Sequence, residues 1–533
     1  MPVADAKRSP HGPWQLLRDL GEASPWREEV EEYTGDSSRF HERHYNEFVS
    51  FLPYVQRFLY GEGRSRRRDG DSTGTDADSP MRIFRRHDIA ALRVVAQPGA
   101  APVTLDVVHC DLYFFFDVDV VLLNLEVCAD HLSLAQAQEL LYRFGPRLSG
   151  RLGRRRWRAA LHEQRRGLAA NGSVLASSEA QQREAFISHV AEYRAPRIAL
   201  HWAYLLQPLV SDLSDASGLL RYRQIEYYRM PLMAYLALDD PRRLTRNDFI
   251  RLGLVTGAAT PDADLPELPY AEQHLADFEQ RYCYDRFWSD AGAAPNTRYL
   301  CSGHALIVVG DARSDYFCCP DRGVPAQFRH QHFLLFPIAH FQKAALLMFS
   351  DQLVEALKRL DIRSTPSVKS FKRAIRASFE RFLRFTHRYW FHEISEQAQV
   401  RALSHLCARH LGLDPLYDEV KVRIADMSSY LDADSLRRQA NTVVRLTVVT
   451  LFGLIGTVTT GFLGMNLLAE ADAPLWRKAL WFVVVFIAAS WLTLYTLVKS
   501  SRLSGFIDAL SNDRLSVRGK LAALARVWRP GSD

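Results

Sequence analysis

The chain has 533 residues, of which 47% are apolar and 24% charged, and its net charge is +6. This is the composition of a folded globular protein, and a mean hydropathy of -0.17 excludes a transporter built mainly from membrane spans. The basic residues cluster locally without a recognisable nucleic-acid-binding module, so no nucleic acid is expected as a partner. Seven cysteines without a CxxC pair predict reduced thiols rather than disulfides or a zinc cage. The polar, charged N-terminus predicts no secretory signal peptide.

The first 360 residues are expected to form soluble structure in three parts. Residues 1–60 are predicted to be an N-terminal helical extension made of short helices. Residues 61–80 contain almost no apolar side chains, which predicts a flexible insertion. Residues 81–360 are predicted to be a cytosolic α/β domain, because β-rich runs are followed by helical patterns.

Within this domain, strand patterns are predicted at residues 90–96, 103–108, 112–127 and 304–310. A helix is predicted from Ser133 to Phe144, because Ser133 and Gln136 have the spacing of a capping box. Residues 331–360 are apolar at helical spacing, but polar side chains interrupt them. A soluble helix packed on the domain is therefore expected there, rather than a membrane span.

Residues 361–441 are predicted to be stalk helices. A basic and aromatic helical pattern occupies residues 367–411 and is broken at Gly412. A second pattern continues from residue 416 to about residue 463, which predicts one helix about 70 Å long. Because the hydrocarbon core of a bilayer is only about 30 Å thick, the first half of this helix must lie outside a membrane.

Two apolar runs near the C-terminus predict a helical hairpin across a membrane. Residues 446–469 are 24 residues without a charge, and residues 479–498 are 20 more. About 20 apolar residues are enough to span a bilayer as a helix. The pattern assigns residues 442–467 to a first transmembrane helix and residues 468–478 to an outer loop. A second transmembrane helix at residues 479–499 and a basic cytosolic tail at residues 500–533 follow.

Positive charges set the predicted orientation of this hairpin. Arg437, Arg438 and Arg445 precede the first run, and seven Lys or Arg residues follow the second. Cytoplasmic flanks of membrane spans carry such an excess. We therefore expect a multi-pass protein of the cell (inner) membrane with both termini cytoplasmic and the connecting loop outside.

The first run contains Gly464-Met465-Asn466 near its end, and a second run follows after a short loop. This tripeptide in this context is similar to the signature of the CorA-type magnesium/cobalt transporter superfamily, and residues 441–466 resemble the pore helix of that family. The resemblance implies a homopentameric funnel, in which a cytosolic domain and a stalk helix continue into the pore helix. It also implies a channel rather than an enzyme, without a resident cofactor, that carries Mg²⁺ and possibly Co²⁺ down the membrane potential.

The tripeptide Gly464, Met465 and Asn466 is the predicted selectivity filter. Because Mg²⁺ often keeps several waters when bound, a ring of five Asn466 amides, as the resemblance implies, can hold the hydrated ion weakly enough to release it. Gly464 permits a tight turn, and Met465 is expected to pack rather than to bind a hard cation. Zinc-moving relatives often carry isoleucine in the middle position, so Met465 favours magnesium. In the outer loop, Glu470 and Asp472 either raise the local cation concentration or form a solvated tip.

One face of the first transmembrane helix is predicted to line the pore. The face consists of Thr447, Thr450, Leu454, Thr457 and Gly461, at spacings of 3, 4, 3 and 4. A hydroxyl-rich face suits a path for water, and Leu454 would be an apolar constriction that gates by dewetting. The alternative is a helix–helix contact, which small residues also favour. A second face fits such packing better and consists of Gly453, Gly456, Thr460 and Gly464.

Three stalk carboxylates, Asp426, Asp432 and Asp434, are candidates for a regulatory magnesium sensor between subunits, and the alternative is a solvated stalk face. Two other functions stay open at this point. One is a proton-coupled zinc transporter on the same scaffold. The other is a non-conducting, membrane-anchored sensor or binding protein.

Overall fold

The structure is a computed structural model, and it describes residues 12–29, 42–61, 81–96, 100–115, 118–144, 164–168, 173–178, 183–218, 220–226, 229–259, 268, 270–361, 365–464 and 474–491. Three predicted segments fall wholly or largely outside these residues. They are the insertion (from residue 62), the outer loop (up to residue 473) and the basic tail at 500–533. The chain divides into a first unit, Met1–Asp426, and a second unit, Met427–Asp533.

Helices account for most of the described residues. They are α1 (Pro13–Asp19), α2 (Glu42–Ser50), α3 (Pro53–Tyr60), α4 (Leu134–Phe144), α5 (Arg183–Tyr193), α6 (Leu200–Leu206), α7 (Arg246–Gly253), α8 (Glu272–Leu275), α9 (Phe278–Tyr282), α10 (Asp315–Cys318), α11 (Val324–Gln327), α12 (Phe333–Lys358), α13 (Thr365–Arg388), α14 (Ala398–Leu411), α15 (Leu413–Gly464) and α16 (475–491). A π-helical turn at Phe328–His332 joins α11 to α12.

A seven-stranded sheet forms the N-terminal part of the first unit, and all its strand pairs are antiparallel. Its strands are β1 (Trp26–Glu29), β2 (Met81–Arg86), β3 (Ala91–Val95), β4 (Val103–Phe115), β5 (Val121–Cys128), β6 (Gln164–Leu168) and β7 (Val174–Ser177). The order is β1-β2-β4-β3-β6-β7, and β5 pairs with β4. The core of this sheet includes Phe84, Leu112 and Trp202, which are all buried.

A second, four-stranded sheet has the order β10-β13-β12-β11. Its strands are β10 (Leu232–Leu238), β11 (Cys283–Tyr284), β12 (Arg298–Cys301) and β13 (Ala305–Asp311), and a separate parallel pair is formed by β8 (Val210–Ser211) and β9 (Arg221–Tyr222). Strands β10 and β13 are parallel, whereas the other two pairs are antiparallel. The core of this sheet includes Ile250, Phe278 and Ile307.

An aromatic cluster ties α3, β4, α12 and the residue after α13 together. Phe115 stacks on Phe341 with ring centroids 3.9 Å apart, and Phe58 lies 5.9 Å from Phe341 and 5.4 Å from Tyr389. All four side chains are buried. Fully burying one such side chain stabilises a fold by about 1.5–3 kcal/mol, so this cluster is a main source of stability for the first unit.

Several sequence predictions for the first unit are confirmed. Ser133 caps α4, because its Oγ accepts from the Gln136 N–H at 3.2 Å while Gln136 Oε1 accepts from the Ser133 N–H at 2.9 Å. Strand β13 lies where residues 304–310 predicted a strand, and α12 where 331–360 predicted a packed helix. The prediction of reduced thiols is not tested, and no disulfide joins any of the seven cysteines in this structure.

Other predictions need correction. Residues 1–60 are not only helical, because β1 joins the large sheet as an edge strand, with Trp26 opposite Arg86. The run at 112–127 is a hairpin, in which β4 ends at Phe115 and β5 begins at Val121. The connection of five residues is too short for a parallel crossover, so β4 and β5 pair antiparallel. The helix predicted at 367–411 is two helices, α13 and α14, since the chain leaves the helical path after Arg388.

Candidate cation pathway

Helix α15 carries most of the predicted site. It runs unbroken from Leu413 to Gly464, 52 residues, which is about 78 Å at ~1.5 Å per residue. The predicted long helix is therefore confirmed, with a start three residues earlier than expected. Gly412 precedes it in the left-handed conformation (φ +64°) and ends α14. Pro415 is tolerated in the first turn, where its missing N–H would have no helical partner.

The predicted filter lies at the C-terminal end of α15. Gly464 is the last residue of the helix, whereas Met465 and Asn466 lie outside the described residues, as do Glu470 and Asp472. The carbonyl groups of a helix C-terminus carry a partial negative charge of about half an elementary charge. A cation is therefore favoured at the C-terminal end of a helix such as α15.

All described positions of the predicted pore face are exposed. Thr450, Leu454, Thr457 and Gly461 are exposed, with Leu454 at 53%, and the side chain of Thr447 is not among the described ones. A helix turns by about 100° per residue, so these positions share one side. Among the described residues of the single chain, no protein covers these four positions closely enough to bury them.

Threonine hydroxyls on α15 donate to the carbonyls of the preceding turn. Thr457 Oγ1 donates to the Gly453 carbonyl at 2.9 Å, and Thr460 Oγ1 donates to the Gly456 carbonyl at 2.9 Å. Because the hydroxyl proton is used inside the helix, the outer side of each oxygen presents lone pairs. The waters around a cation point their hydrogens outward, so an acceptor at Thr457 suits a hydrated cation.

The glycine-rich face is also open. A Cβ built on Gly453, Gly456 or Gly464 meets nothing within 4 Å among the described atoms. The close helix–helix contact that this face was predicted to favour is therefore not made among the described atoms of the single chain. The two faces thus remain alternatives for contact with other copies or with water.

A different side of α15 is buried. Ile455 (8% exposed) and Thr459 (1%) lie one turn apart, and with Ala489 of α16 they are the only buried positions among the described side chains of the second unit. By helical periodicity this side lies roughly opposite the predicted pore face. The sequence analysis did not single out Ile455 or Thr459, because neither differs in residue type from its unburied neighbours.

The three stalk carboxylates occupy different positions around α15 by helical periodicity. Asp426 is exposed, and the side chains of Asp432 and Asp434 are not among the described ones. Their backbone positions are separated by about 80°, 120° and 160° around the helix, so one copy of α15 does not place the three on a single side. Among the described residues, no group of three His, Cys, Asp or Glu side chains is placed to hold a metal ion.

One helical stretch of the described chain is long and apolar enough to cross a membrane by length and composition. This is Val324–Lys358, with a mean hydropathy of 1.4, and 61% of its most apolar window is buried by the rest of the chain. Its side chains Phe341, Leu346 and Phe349 are fully buried. Gly453–Phe462 is a shorter apolar stretch. Burial identifies the first stretch as a core helix of the first unit.

The apolar side chains of the second unit have the opposite character. Leu475, Ile487 and Trp491 of α16 are 86%, 60% and 67% exposed, and Val458 of α15 is 51% exposed. Large exposed apolar surfaces normally mark contact with another protein or with lipid. The chain matches no family model, and neither a curated protein nor a solved structure matches it.

Proposed function

We propose that the chain is a divalent-cation channel of the cell (inner) membrane, formed by several copies around a pore lined by α15, with Mg²⁺ as its ion. The observation that carries this proposal is the unbroken helix α15, whose outer part leaves a threonine-bearing face and apolar side chains uncovered in one chain. A pore needs a face of this kind, because water and ions must reach it while other sides meet protein or lipid.

In this proposal the two C-terminal helices form a hairpin across the bilayer, and both termini are cytoplasmic. Support comes from the short connection of ten residues, 465–474, between the end of α15 and the start of α16. The exposed apolar side chains of α16 support the same arrangement, since lipid would cover them. The number of copies, five, follows from the resemblance to CorA-type proteins.

The ion would pass along α15 with most of its water retained. Thr457, and by the same logic Thr450, would accept hydrogen bonds from the waters of the ion, so little dehydration is required. Leu454 is the apolar position between them and would interrupt the water column when the pore narrows. Converging C-termini of α15 and the amides of Asn466 would attract the cation at the outer mouth.

The test is ion influx into proteoliposomes, measured with Mg²⁺, Co²⁺ and Zn²⁺ and an inside-negative potential. We expect Mg²⁺ influx in the wild type and its loss in Asn466→Ala. Asn512→Ala in the C-terminal tail is the matched control and should conduct as the wild type does. Zn²⁺ influx that requires a pH gradient would instead support a zinc transporter, and an intact oligomer without any flux would support an anchored sensor.

A further inference from the structure

Helix α13 has two faces of opposite character. Its inner face, including Phe371, Phe382 and Phe385, is buried, and Phe382 and Phe385 each lie 5.6 Å from the Phe349 ring of α12. Apart from Glu380, the charged residues of α13 are all basic. The outer face is therefore a strongly positive surface on a firmly packed helix.

Three cations define what we call the basic stripe: Lys369, Arg373 and Arg376. Spacings of four and three place them on one side of α13, and all three are exposed. No carboxylate in the described part of the chain pairs with them, whereas Arg381 on the same helix pairs with Asp119 at 3.0 Å. An open surface pocket of about 360 Å³ is lined by Lys369 and Arg373 of the stripe and by Pro366 and Ser370.

An acidic stripe lies on the part of α15 that belongs to the first unit. Asp418, Val422 and Asp426 follow at spacings of four, so they share one side, and all are exposed. Val422 is a large apolar side chain at 57% exposure. Within the described residues neither Asp418 nor Asp426 has an ion-pair partner, whereas the neighbouring Glu419 pairs with Arg423.

The two stripes match in length as well as in charge. Lys369 to Arg376 spans about 10 Å along α13, and Asp418 to Asp426 spans about 12 Å along α15. No ion pair joins them within the described part of the chain. Each stripe thus carries charges of one sign without an ion-pair partner among the described residues. The basic stripe also has a pocket that another surface can fill. The acidic stripe has the exposed side chain of Val422, which another surface can cover.

We propose that the basic stripe of one copy docks against the acidic stripe of the next copy. Because the two patches differ, the contact is head-to-tail, and head-to-tail contacts close into rings when the rotation between copies is suitable. The inference rests on the proposed function, in which several copies of the chain assemble around a pore. It identifies the contact that fixes how neighbouring copies are oriented. It gives Asp426 an arginine or lysine partner in place of a magnesium ion.

The stripes act on specificity and register more than on affinity. A single exposed ion pair contributes little to stability, but complementary charge patterns reject wrong neighbours and fix the orientation of docking. Apolar surface elsewhere, including the second unit, then supplies the bulk of the association. A nucleic acid is a poorer partner for the basic stripe, since none of its three positions has an exposed aromatic neighbour on α13 for base stacking.

The first test is cross-linking between isotopically distinct copies of the full chain. Equal amounts of ¹⁴N- and ¹⁵N-labelled protein are assembled together and treated with a carbodiimide, which joins an amine to a carboxylate in contact. We expect peptides that link Lys369 to Asp418 or Asp426 and contain both isotopes. Lys369→Arg keeps the charge and removes the amine, so it should lose the link and keep the oligomer. Links within single-isotope chains alone would overturn the proposal.

The second test exchanges the charges. R373E/R376E and D418K/D426K should each lose the intact oligomer in native mass spectrometry at a concentration where the wild type is fully assembled. The chain that carries all four changes should recover the wild-type fraction. Unchanged assembly in both double variants, or no recovery in the combined one, overturns the proposal. The proposal is also overturned if R373E/R376E stays assembled but loses co-purified anionic lipid. That result would show that the basic stripe binds lipid headgroups instead of the acidic stripe.

These readouts separate the contact from the channel. Assembly and cross-linking are measured without ion flux, so a chain that conducts nothing can still show the contact. Conversely, a loss of Mg²⁺ influx in Asn466→Ala alone supports the channel and does not bear on the contact between the stripes. The cross-links decide whether that contact exists.

Discussion

The two units of this chain treat apolar side chains in opposite ways. In the first unit Phe341, Leu346 and Phe349 of α12 are completely buried. In the second unit Leu475 and Ile487 are 86% and 60% exposed, although they are as apolar as those of α12. Large exposed apolar surfaces normally mark contact with another protein or with lipid. Hydropathy alone therefore does not separate a core helix from a candidate span, whereas the exposure of apolar side chains among the described residues does.

The largest expected effect tests the core of the first unit. Phe341→Ala removes the ring that stacks on Phe115 and leaves a cavity, so we expect a loss of about 3–5 kcal/mol in the free energy of unfolding. Chemical denaturation followed by near-ultraviolet circular dichroism measures it. Leu357→Ala on the same helix is the control, because Leu357 is exposed, and it should cost less than about 0.5 kcal/mol. Equal costs would contradict the assignment of α12 as a core helix.

The next effect tests the exposed apolar surface of the second unit. Ile487→Lys would be harmless in a water-exposed helix. Near the centre of a bilayer, however, a lysine makes the free energy of helix insertion less favourable by about 2.5–3.5 kcal/mol. We expect the variant to shift from the membrane pellet to the carbonate-extracted fraction, while Ile487→Leu stays in the pellet. If Ile487→Lys remains fully membrane-bound and active, α16 is not a span at this position.

A third effect concerns two buried histidines of the first unit. Burial lowers the pKa of His332 to about 4, and burial, aided by Lys343 and His304, lowers the pKa of His340 to about 3. His340 Nε2 lies 3.1 Å from the Gly303 carbonyl oxygen. Both side chains stay neutral in the folded protein at pH values where the unfolded chain, with a pKa near 6.5, binds protons. Stability is thus complete above pH ~6.5 and falls as the pH drops below it.

The measurement is the free energy of unfolding between pH 7.5 and 5. Each buried histidine contributes a slope of about 1.4 kcal/mol per pH unit once the pH is well below 6.5. His340→Gln keeps an amide that can donate to the Gly303 carbonyl and removes one titrating group. Its slope should therefore be shallower than that of the wild type by about this amount. Parallel slopes would show that His340 is protonated in the folded state as well.

The smallest expected effect tests the pore face against the buried side of α15. Thr457→Val keeps the shape and removes the acceptor oxygen, so we expect Mg²⁺ influx to fall about fivefold, the effect of one lost hydrogen bond of about 1 kcal/mol. Thr459→Val is the matched control on the buried side and should leave influx unchanged. A larger loss in Thr459→Val than in Thr457→Val would favour the opposite assignment of faces.

The sequence by itself determined the local features of this protein. The capping box at Ser133 and the uninterrupted helical pattern after Gly412 predicted α4 and α15, because caps and periodicity act over a few neighbouring residues. The signature Gly464-Met465-Asn466 likewise could be identified without coordinates, although its conformation is not described beyond Gly464.

Only the tertiary structure decided which surfaces are covered. The pairing of Trp26 with Arg86 in the large sheet joins residues 60 positions apart. The burial of Ile455 and Thr459 is likewise visible only in the folded chain. The same holds for the two charged stripes, since a cation is recognised as unpaired only when its surroundings are known. Burial and pairing are properties of non-local contacts, and a short window of sequence does not contain them.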